Sequence, residues 1–193
     1  MIDLPSLINK FREVNDHESD VAFFQTHVPW IAPEAYLNII FKPAPPDVLS
    51  NVGTNMKIPA PFLQFLARYN GAVLFSGALS LFGVVRKGQL LHRADSFSLQ
   101  PFNIELENRS WPPPDRDKFL KIGGYGFDGS GVCIDRDSLG IFVFRREEKE
   151  PYSSWPTLDD WLNSEIRRLS EIFDAYGKPL VDGSQTLPSG DWQ

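Results

Sequence analysis

The chain has 193 residues and is 42% hydrophobic, which is enough for one domain whose core needs no metal or disulfide support. Its single cysteine, Cys133, excludes an internal disulfide and is typical of a reducing compartment. The net charge of −6 disfavours nucleic acid as a partner and favours basic proteins.

The first 58 residues predict a helix, a strand and a second short helix. Apolar residues recur at helical spacing over 4–14, with Asp3 placed as the N-cap. Residues 15–20 form a polar break, the branched run 35–41 predicts a strand, and 47–52 predict a brief helix. The start of the chain lacks the features of a signal peptide, and no apolar run reaches the roughly 18 residues of a membrane span. We therefore expect a cytoplasmic protein without a membrane segment.

The stretch 57–83 predicts a short helix followed by two strands. Pro59 and Pro61 fit a first helical turn, where a missing N–H costs nothing. Four apolar side chains then share one helical face: Phe62, Phe65, Leu66 and Tyr69. Asn70 and Gly71 tolerate the left-handed conformation that ends a helix. The segments AVLFS and LSLFGVV are rich in branched and aromatic residues, which is typical of strands.

Residues 100–119 predict a long irregular connection, and the segment after them predicts a glycine-hinged hairpin. Gly124 to Gly129 form the pattern GxGxxG, which binds a dinucleotide only where it follows a strand and opens a helix. Here GVCID and GIFVF come next, and both are typical of strands. We therefore expect a hairpin without a nucleotide site.

The segment 157–176 predicts the clearest helix, with an apolar stripe along its whole length. Thr157 with Asp160 resembles a capping box at its start. Gly177 is expected to end the helix, and the tail 177–193 is rich in turn residues.

Residue types that often carry chemistry are present but scattered. Three aspartates lie beside turn residues, where we expect them to bond the backbone rather than act as paired carboxylates: Asp128, Asp135 and Asp137. The histidines lack the spacing of metal ligands: His17, His27 and His92. Cys133 has no basic neighbour in sequence and is interpreted as a buried thiol rather than a nucleophile. We expect no catalytic residue, metal or cofactor, and a small-molecule enzyme is only the third hypothesis.

Two segments that we expect to be exposed are candidates for partner binding. Residues 111–117 join an aromatic anchor to a proline run, which lowers the ordering cost of binding. Residues 147–176 carry eight acids against three bases. The candidate partner-binding residues are Trp111, Asp115, Asp117, Glu147, Glu148, Glu150, Asp159 and Asp160. The alternative is an ordinary solvated surface, with Trp111 in the core.

Three blocks, in this order, resemble the SMI1/KNR4 family of the SUKH superfamily. The first consists of Ile58, Pro59, Phe62, Phe65, Leu66, Asn70 and Gly71. The second, 119–144, is similar to the family's glycine-rich turn and hairpin, and the third, WPTLDDWLNSEIRRLSEIF, to its closing helix. The resemblance implies an α+β fold, a single domain with a mostly antiparallel central sheet packed by helices. Residues 1–29 would form an N-terminal helix and linker, 30–176 the SMI1/KNR4-like domain, and 177–193 the tail.

The resemblance also implies a function through protein contacts rather than catalysis. Such proteins are often immunity proteins against polymorphic toxins in bacteria, and regulatory proteins in fungi. The first hypothesis is an immunity or antitoxin-like module whose acidic face covers the basic active-site groove of a nuclease-type toxin. The second is an intracellular regulatory or scaffold domain without a toxin.

Overall fold

In the residues that the computed structural model describes, nine strands form one antiparallel sheet in the order of the sequence. Those residues are 3–4, 10–31, 35–86, 88, 100–110 and 112–189. The strands are β1 (His17–Glu18), β2 (Ala22–His27), β3 (Tyr36–Phe41), β4 (Ala72–Leu74), β5 (Leu79–Leu81), β6 (Phe119–Tyr125), β7 (Gly131–Asp135), β8 (Ile141–Phe144) and β9 (Ser153–Trp155). The predicted α+β class, with a mostly antiparallel sheet in a single domain, is confirmed.

Helices stabilise the sheet, and two of them cover one of its faces. They are α1 (Pro46–Met56), α2 (Ala60–Leu66), α3 (Ile104–Ser110) and α4 (Leu158–Glu171), with 3₁₀ turns at Phe75–Gly77 and Gly183–Thr186. Apolar side chains of α2 and α4 share the main core with strand residues. We call the sheet face against α2 and α4 the inner face, and the opposite one the outer face. No helix within the described ranges combines the length and apolar character needed to cross a bilayer.

Successive strand residues point to the two faces in turn. In β7, Val132 belongs to the main core together with Trp161 of α4. Its neighbour Cys133 instead packs with Phe119 and Phe144 in a separate cluster on the outer face. This alternation is the period of two that a pleated strand imposes. The predicted burial of the Cys133 side chain is confirmed.

The end of α2 differs from the prediction, although the helix and the two strands after it are confirmed. The helix ends at Leu66, and Ala67 keeps a right-handed conformation. Asn70 is buried, where its Nδ2 donates to the Val84 carbonyl at 2.9 Å and its Oδ1 accepts the Val84 N–H at 2.8 Å. Of Asn70 and Gly71, only Gly71 takes a positive φ, +89°. Asn70 therefore connects the chain to the end of β5 instead of capping a helix.

The N-terminal segment contributes more to the sheet than its sequence suggested. The predicted helix over 4–14 lies partly outside the described residues, and 10–14 are not helical. The expected polar break at 15–20 contains β1, and β2 follows it with buried and half-buried residues in alternation. The ring of His17 stacks on that of Phe24 at 4.5 Å between centroids, which joins these two strands.

Two later segments also differ from expectation. The connection 100–119 is not irregular throughout, because it contains α3. Helix α4 begins as predicted, with Thr157 Oγ1 accepting the N–H of Asp160 at 3.1 Å, but it ends at Glu171. Tyr176 is consequently off the apolar stripe and 48% exposed. Gly177 does not end the helix; it lies, with φ +76°, in the turn that allows Phe173 to pair with Pro179.

Candidate functional site

The outer face of the sheet carries a groove between α3 and the turn that joins β8 to β9. Its wide part encloses about 590 Å³, and its lining includes Ser80, Phe82, Phe102, Glu107, Lys121 and Arg146. Its narrow part encloses about 270 Å³ between the prolines 112–114 and residues 145–149. Lys121 lines both parts, which we together call the outer groove. The wide part has the volume typical of a ligand site.

Helix α3 is fixed against β6 by one side chain, and this attachment forms a wall of the groove. Asn108 Nδ2 donates to the Lys121 carbonyl at 2.7 Å, and Asn108 Oδ1 accepts the Lys121 N–H at 3.0 Å. The amide side chain thereby occupies the place of a neighbouring strand, since β5 pairs only with the second half of β6. A residue without this bidentate geometry would leave two backbone groups of β6 without these bonds.

Lys121 lies at the centre of the groove because its cross-strand neighbourhood contains a glycine. A Cβ atom on Gly131 would lie 3.1 Å from Lys121 Cε, so a side chain there would push the lysine away. Lys121 is 4% exposed, and its Nζ lies 5.4 Å from the centroid of the Phe82 ring. Burial lowers the pKa of this lysine, the Glu107 carboxylate raises it, and the Arg146 guanidinium lowers it. The centre of the groove therefore combines two cations with one carboxylate.

One end of the wide part is formed by a backbone segment in an unusual conformation. Phe75, Ser76 and Gly77 have consecutive positive φ values of +53°, +55° and +88°. This region is uncommon for residues other than glycine and is a genuine outlier for a bulky side chain such as phenylalanine. Asn38 Oδ1 accepts the Phe75 N–H at 3.1 Å and helps to hold the turn. Such strain tends to cluster at binding and catalytic sites, which supports a role for this groove.

Cys133 forms part of the floor of the narrow part. Burial raises the pKa of its thiol to about 12, and the charge of Lys121 lowers it only partly. The side chain thus remains a protonated thiol at neutral pH, which is a poor nucleophile. It contributes an apolar surface to the groove.

The predicted partner residues lie at two ends of the sheet rather than on one face. Glu147 and Glu148 line the narrow part of the outer groove with the prolines 112–114, and Glu150 lies exposed in the same turn. The remaining described candidates lie beyond the opposite ends of β7 and β9: Asp115, Asp117, Asp159 and Asp160. Trp111 falls outside the described residues.

Two of these aspartates have local structural roles. Asp115 Oδ1 accepts the N–H groups of Asp117 and Lys118 at 3.0 and 3.1 Å, which stabilises the turn before β6. Asp160 lies in the first turn of α4 and accepts the Thr157 hydroxyl at 2.7 Å. Substituting either residue would therefore change a turn or a helix start as well as a surface charge.

A second groove, of about 410 Å³, lies on the other side of the molecule between α2 and the start of α4. It contains Phe65, Arg68, Leu139 and the predicted residue Asp159. It offers an alternative binding surface that shares no lining residue with the outer groove.

The turn 145–150 is not an acidic surface by itself. It contains three acids and three bases, and Arg145 Nη1 lies 3.9 Å from Glu148 Oε1. The acidic excess over 147–176 is therefore spread along α4 and its surroundings. The turn therefore attracts a basic partner through the exposed positions of its glutamate carboxylates and not through its net charge.

The predicted hairpin and two of the three predicted aspartate turns are confirmed. The segment from Gly124 to Gly129 connects β6 to β7 as a hairpin, and a strand follows it. Asp128 Oδ1 accepts the Ser130 N–H at 2.8 Å, and Asp135 Oδ1 accepts the Asp137 N–H at 2.9 Å. These aspartates bond the backbone of their turns, as expected.

A buried polar network, which the sequence did not reveal, joins α4 to β6 and to the C-terminal segment. Trp161 Nε1 donates to the Tyr125 hydroxyl at 3.2 Å, and this hydroxyl donates to Glu165 Oε2 at 2.7 Å. Arg168 donates to both oxygens of Glu165, at 3.0 and 2.6 Å, and to the Thr186 carbonyl at 2.9 Å. Burial raises the pKa of Tyr125 well above its usual value, so its hydroxyl stays a donor. The sequence gave one indication of this network, because Glu165 lies on the apolar stripe of the predicted helix.

Comparison with known proteins adds no relative. No protein-family model matches the chain, and no curated protein matches it. Across the described part of the chain, no group of three or more His, Cys, Asp or Glu side chains has an arrangement that could hold a metal ion. The resemblance to the SMI1/KNR4 family therefore stays a prediction from the three sequence blocks.

Proposed function

We propose that this chain is a non-catalytic protein-binding module that acts as an immunity or antitoxin-like protein. The three blocks that resemble the SMI1/KNR4 family support the proposal from the sequence. The observation that carries it is the rim of the outer groove, which combines the prolines 112–114 with the exposed carboxylates of Glu147 and Glu148. Prolines reduce the entropy lost on binding, and exposed carboxylates attract a basic partner.

The proposed mechanism is occlusion of a basic active site. A nuclease-type toxin binds the phosphates of its substrate with cationic side chains. Glu147, Glu148 and Glu150 would occupy the positions of those phosphates while the groove holds a protruding segment of the toxin. Binding of this kind neutralises the toxin without chemistry, because the substrate is excluded from the cleft.

The alternative is a regulatory or scaffold domain that uses the same surface for a partner that is not a toxin. The genes beside that of this chain discriminate between the two functions. A neighbouring gene for a large polymorphic toxin supports the immunity function, and its absence supports the regulatory one.

The proposal is tested by co-expression with the candidate toxin encoded beside the gene. Cells that express the toxin domain alone should stop growing, and co-expression of this chain should restore growth. The purified proteins should form a complex measurable by calorimetry. Failure to bind or to protect against every such candidate would contradict the immunity function.

Reversing the three glutamates of the turn is expected to weaken this complex. The variant E147K/E148K/E150K should bind at least about tenfold more weakly, mainly through slower association, because charged rim residues steer the encounter. The measurement is surface plasmon resonance at two salt concentrations. The effect should shrink at high salt, which screens exposed charges.

A matched control separates this local effect from net charge. The variant E13K/D20K/D137K changes the protein charge by the same amount at exposed acids outside the groove lining and outside residues 147–176. It should keep nearly the affinity of the unmodified protein. Equal weakening by both variants would refute a role for the turn.

A further inference from the structure

The turn after α2 contains a residue pair that is chemically labile in an unfolded chain. Asn70 is the only asparagine of the sequence that is followed by a glycine, Gly71. The backbone nitrogen of a residue can attack the side-chain amide of a preceding asparagine and expel ammonia. Glycine favours this attack, because it has no Cβ atom to hinder the approach and leaves the backbone free to rotate.

The native fold holds both reacting groups apart from this chemistry. Asn70 Nδ2 donates to the Val84 carbonyl at 2.9 Å and Asn70 Oδ1 accepts the Val84 N–H at 2.8 Å, which fixes the side-chain amide. The Gly71 N–H donates to the Tyr69 carbonyl at 2.8 Å. A Cβ atom on Gly71 would lie 2.7 Å from the Leu81 backbone oxygen. The backbone at this turn is therefore packed too closely against β5 to rearrange into a ring.

The same two hydrogen bonds distinguish asparagine from the product of the reaction. An ionised aspartate has two acceptor oxygens and no donor. At position 70 one oxygen could accept the Val84 N–H, but the other would replace Nδ2 and face the Val84 carbonyl oxygen, 2.9 Å away. Asn70 is only 9% exposed, so a carboxylate there would be buried against a second acceptor. Such an arrangement is strongly unfavourable.

The positive charges around the turn are already engaged. Three cations lie within two residues of Asn70 or of its hydrogen-bond partners, and each forms an ion pair: Lys42 with Glu18, Arg68 with Asp3, and Arg86 with Asp47. Each of them would have to leave its present partner to compensate a new carboxylate at position 70.

We propose that Asn70 is a one-way deamidation site, closed in the folded protein and opened by unfolding. In the opened chain the Gly71 nitrogen loses its proton to hydroxide and attacks Asn70 Cγ. The bond from Cγ to Nδ2 breaks, and Nδ2 takes a proton from water and leaves as ammonia. Water then opens the succinimide ring to aspartate or isoaspartate, so the net reaction consumes one water and releases one ammonia.

The modified chain lacks the donor to the Val84 carbonyl, so it does not regain the native turn. Unfolding at this turn thereby becomes permanent through a chemical step that needs only water. The site does not depend on the proposed toxin binding, and either proposal stands if the other fails.

Mass spectrometry of the peptide that contains Asn70 measures the reaction directly. The folded protein and the protein in concentrated urea are incubated at the same mildly alkaline pH and sampled over time. Deamidation of Asn70 should be at least about 100-fold slower in the folded protein, because it is limited by the small population of opened molecules. Rates that agree within about tenfold would overturn the proposal.

The variant N70D tests whether the product can return to the native state. Its urea midpoint at pH 7 should fall by at least about 1 M, whereas N163D, at an exposed asparagine of α4, should change it by no more than about 0.3 M. Equal midpoints of the two variants would overturn the one-way character of the site.

Lowering the pH separates the missing donor from a steric effect. A protonated carboxyl group again has a donor for the Val84 carbonyl, and burial raises the pKa of such a group above the value of about 3.9 in the unfolded chain. The deficit of N70D relative to the unmodified protein should therefore shrink as the pH falls from 7 towards about 4. If N70D does not fold at pH 7, it should fold at a lower pH at which the unmodified protein also folds. A deficit that stays constant with pH would contradict the proposal.

Discussion

Replacement of Arg168 by methionine is expected to lower the free energy of unfolding by about 3–5 kcal/mol. Glu165 is 1% exposed, and both of its carboxylate oxygens accept hydrogen bonds from Arg168. Without the guanidinium, a buried carboxylate loses its compensating charge, and the Thr186 carbonyl loses its donor. Urea unfolding followed by tryptophan fluorescence measures the effect.

Two control variants make this result specific to the buried pair. Arg167→Met removes an exposed neighbour in the same helix and should change stability by no more than about 0.5 kcal/mol. The double variant E165Q/R168M should be more stable than R168M alone, because the uncompensated charge is gone. Unfolding energies of R168M and R167M that agree within error would contradict the buried ion pair.

Replacement of Gly71 by alanine is also expected to lower the free energy of unfolding strongly. Gly71 has φ +89°, and a Cβ atom would lie 2.7 Å from the backbone oxygen of Leu81. The left-handed conformation costs an alanine about 1–2 kcal/mol. The collision with a neighbouring strand adds about 1–3 kcal/mol, since the backbone of β5 must move. Chemical denaturation gives the sum directly.

Gly77→Ala separates these two contributions. Gly77 has φ +88°, and nothing lies within 4 Å of the position of a Cβ atom. The free energy of unfolding of this variant should fall only by the cost of the left-handed conformation, about 1–2 kcal/mol. Equal destabilisation by the two substitutions would show that Gly71 is not in close contact with β5.

The elements that the sequence predicted well are those with a strong local pattern. The start of the helix after Thr157 and the two strands that follow Gly71 have clear periodicity and punctuation, and these were confirmed. The strands β1 and β2 were missed because the short β1 is entirely exposed and polar. Strand β2 is held in the sheet by pairing with β3, and β1 by pairing with β2, and neither pairing is visible in the local sequence.

The candidate site was less predictable, because its residues meet only through the fold. Glu147 and the prolines 112–114 were singled out separately, and the structure brings them to the same groove. Lys121 was missed, although a charged residue in an apolar strand is an unusual feature. Its position depends on Gly131 across the strand pair and on Asn108 from α3, and neither contact is apparent from sequence spacing.

Hydrogen exchange of the complex with the neutralised toxin is the most direct test of the outer groove as the functional surface. We expect slower amide exchange on binding in residues 107–110, 121–126 and 145–150, which border that groove. The groove between α2 and the start of α4 should exchange as in the unbound protein. Protection confined to residues 60–69 and 157–162, with no change around Lys121, would contradict the proposed surface.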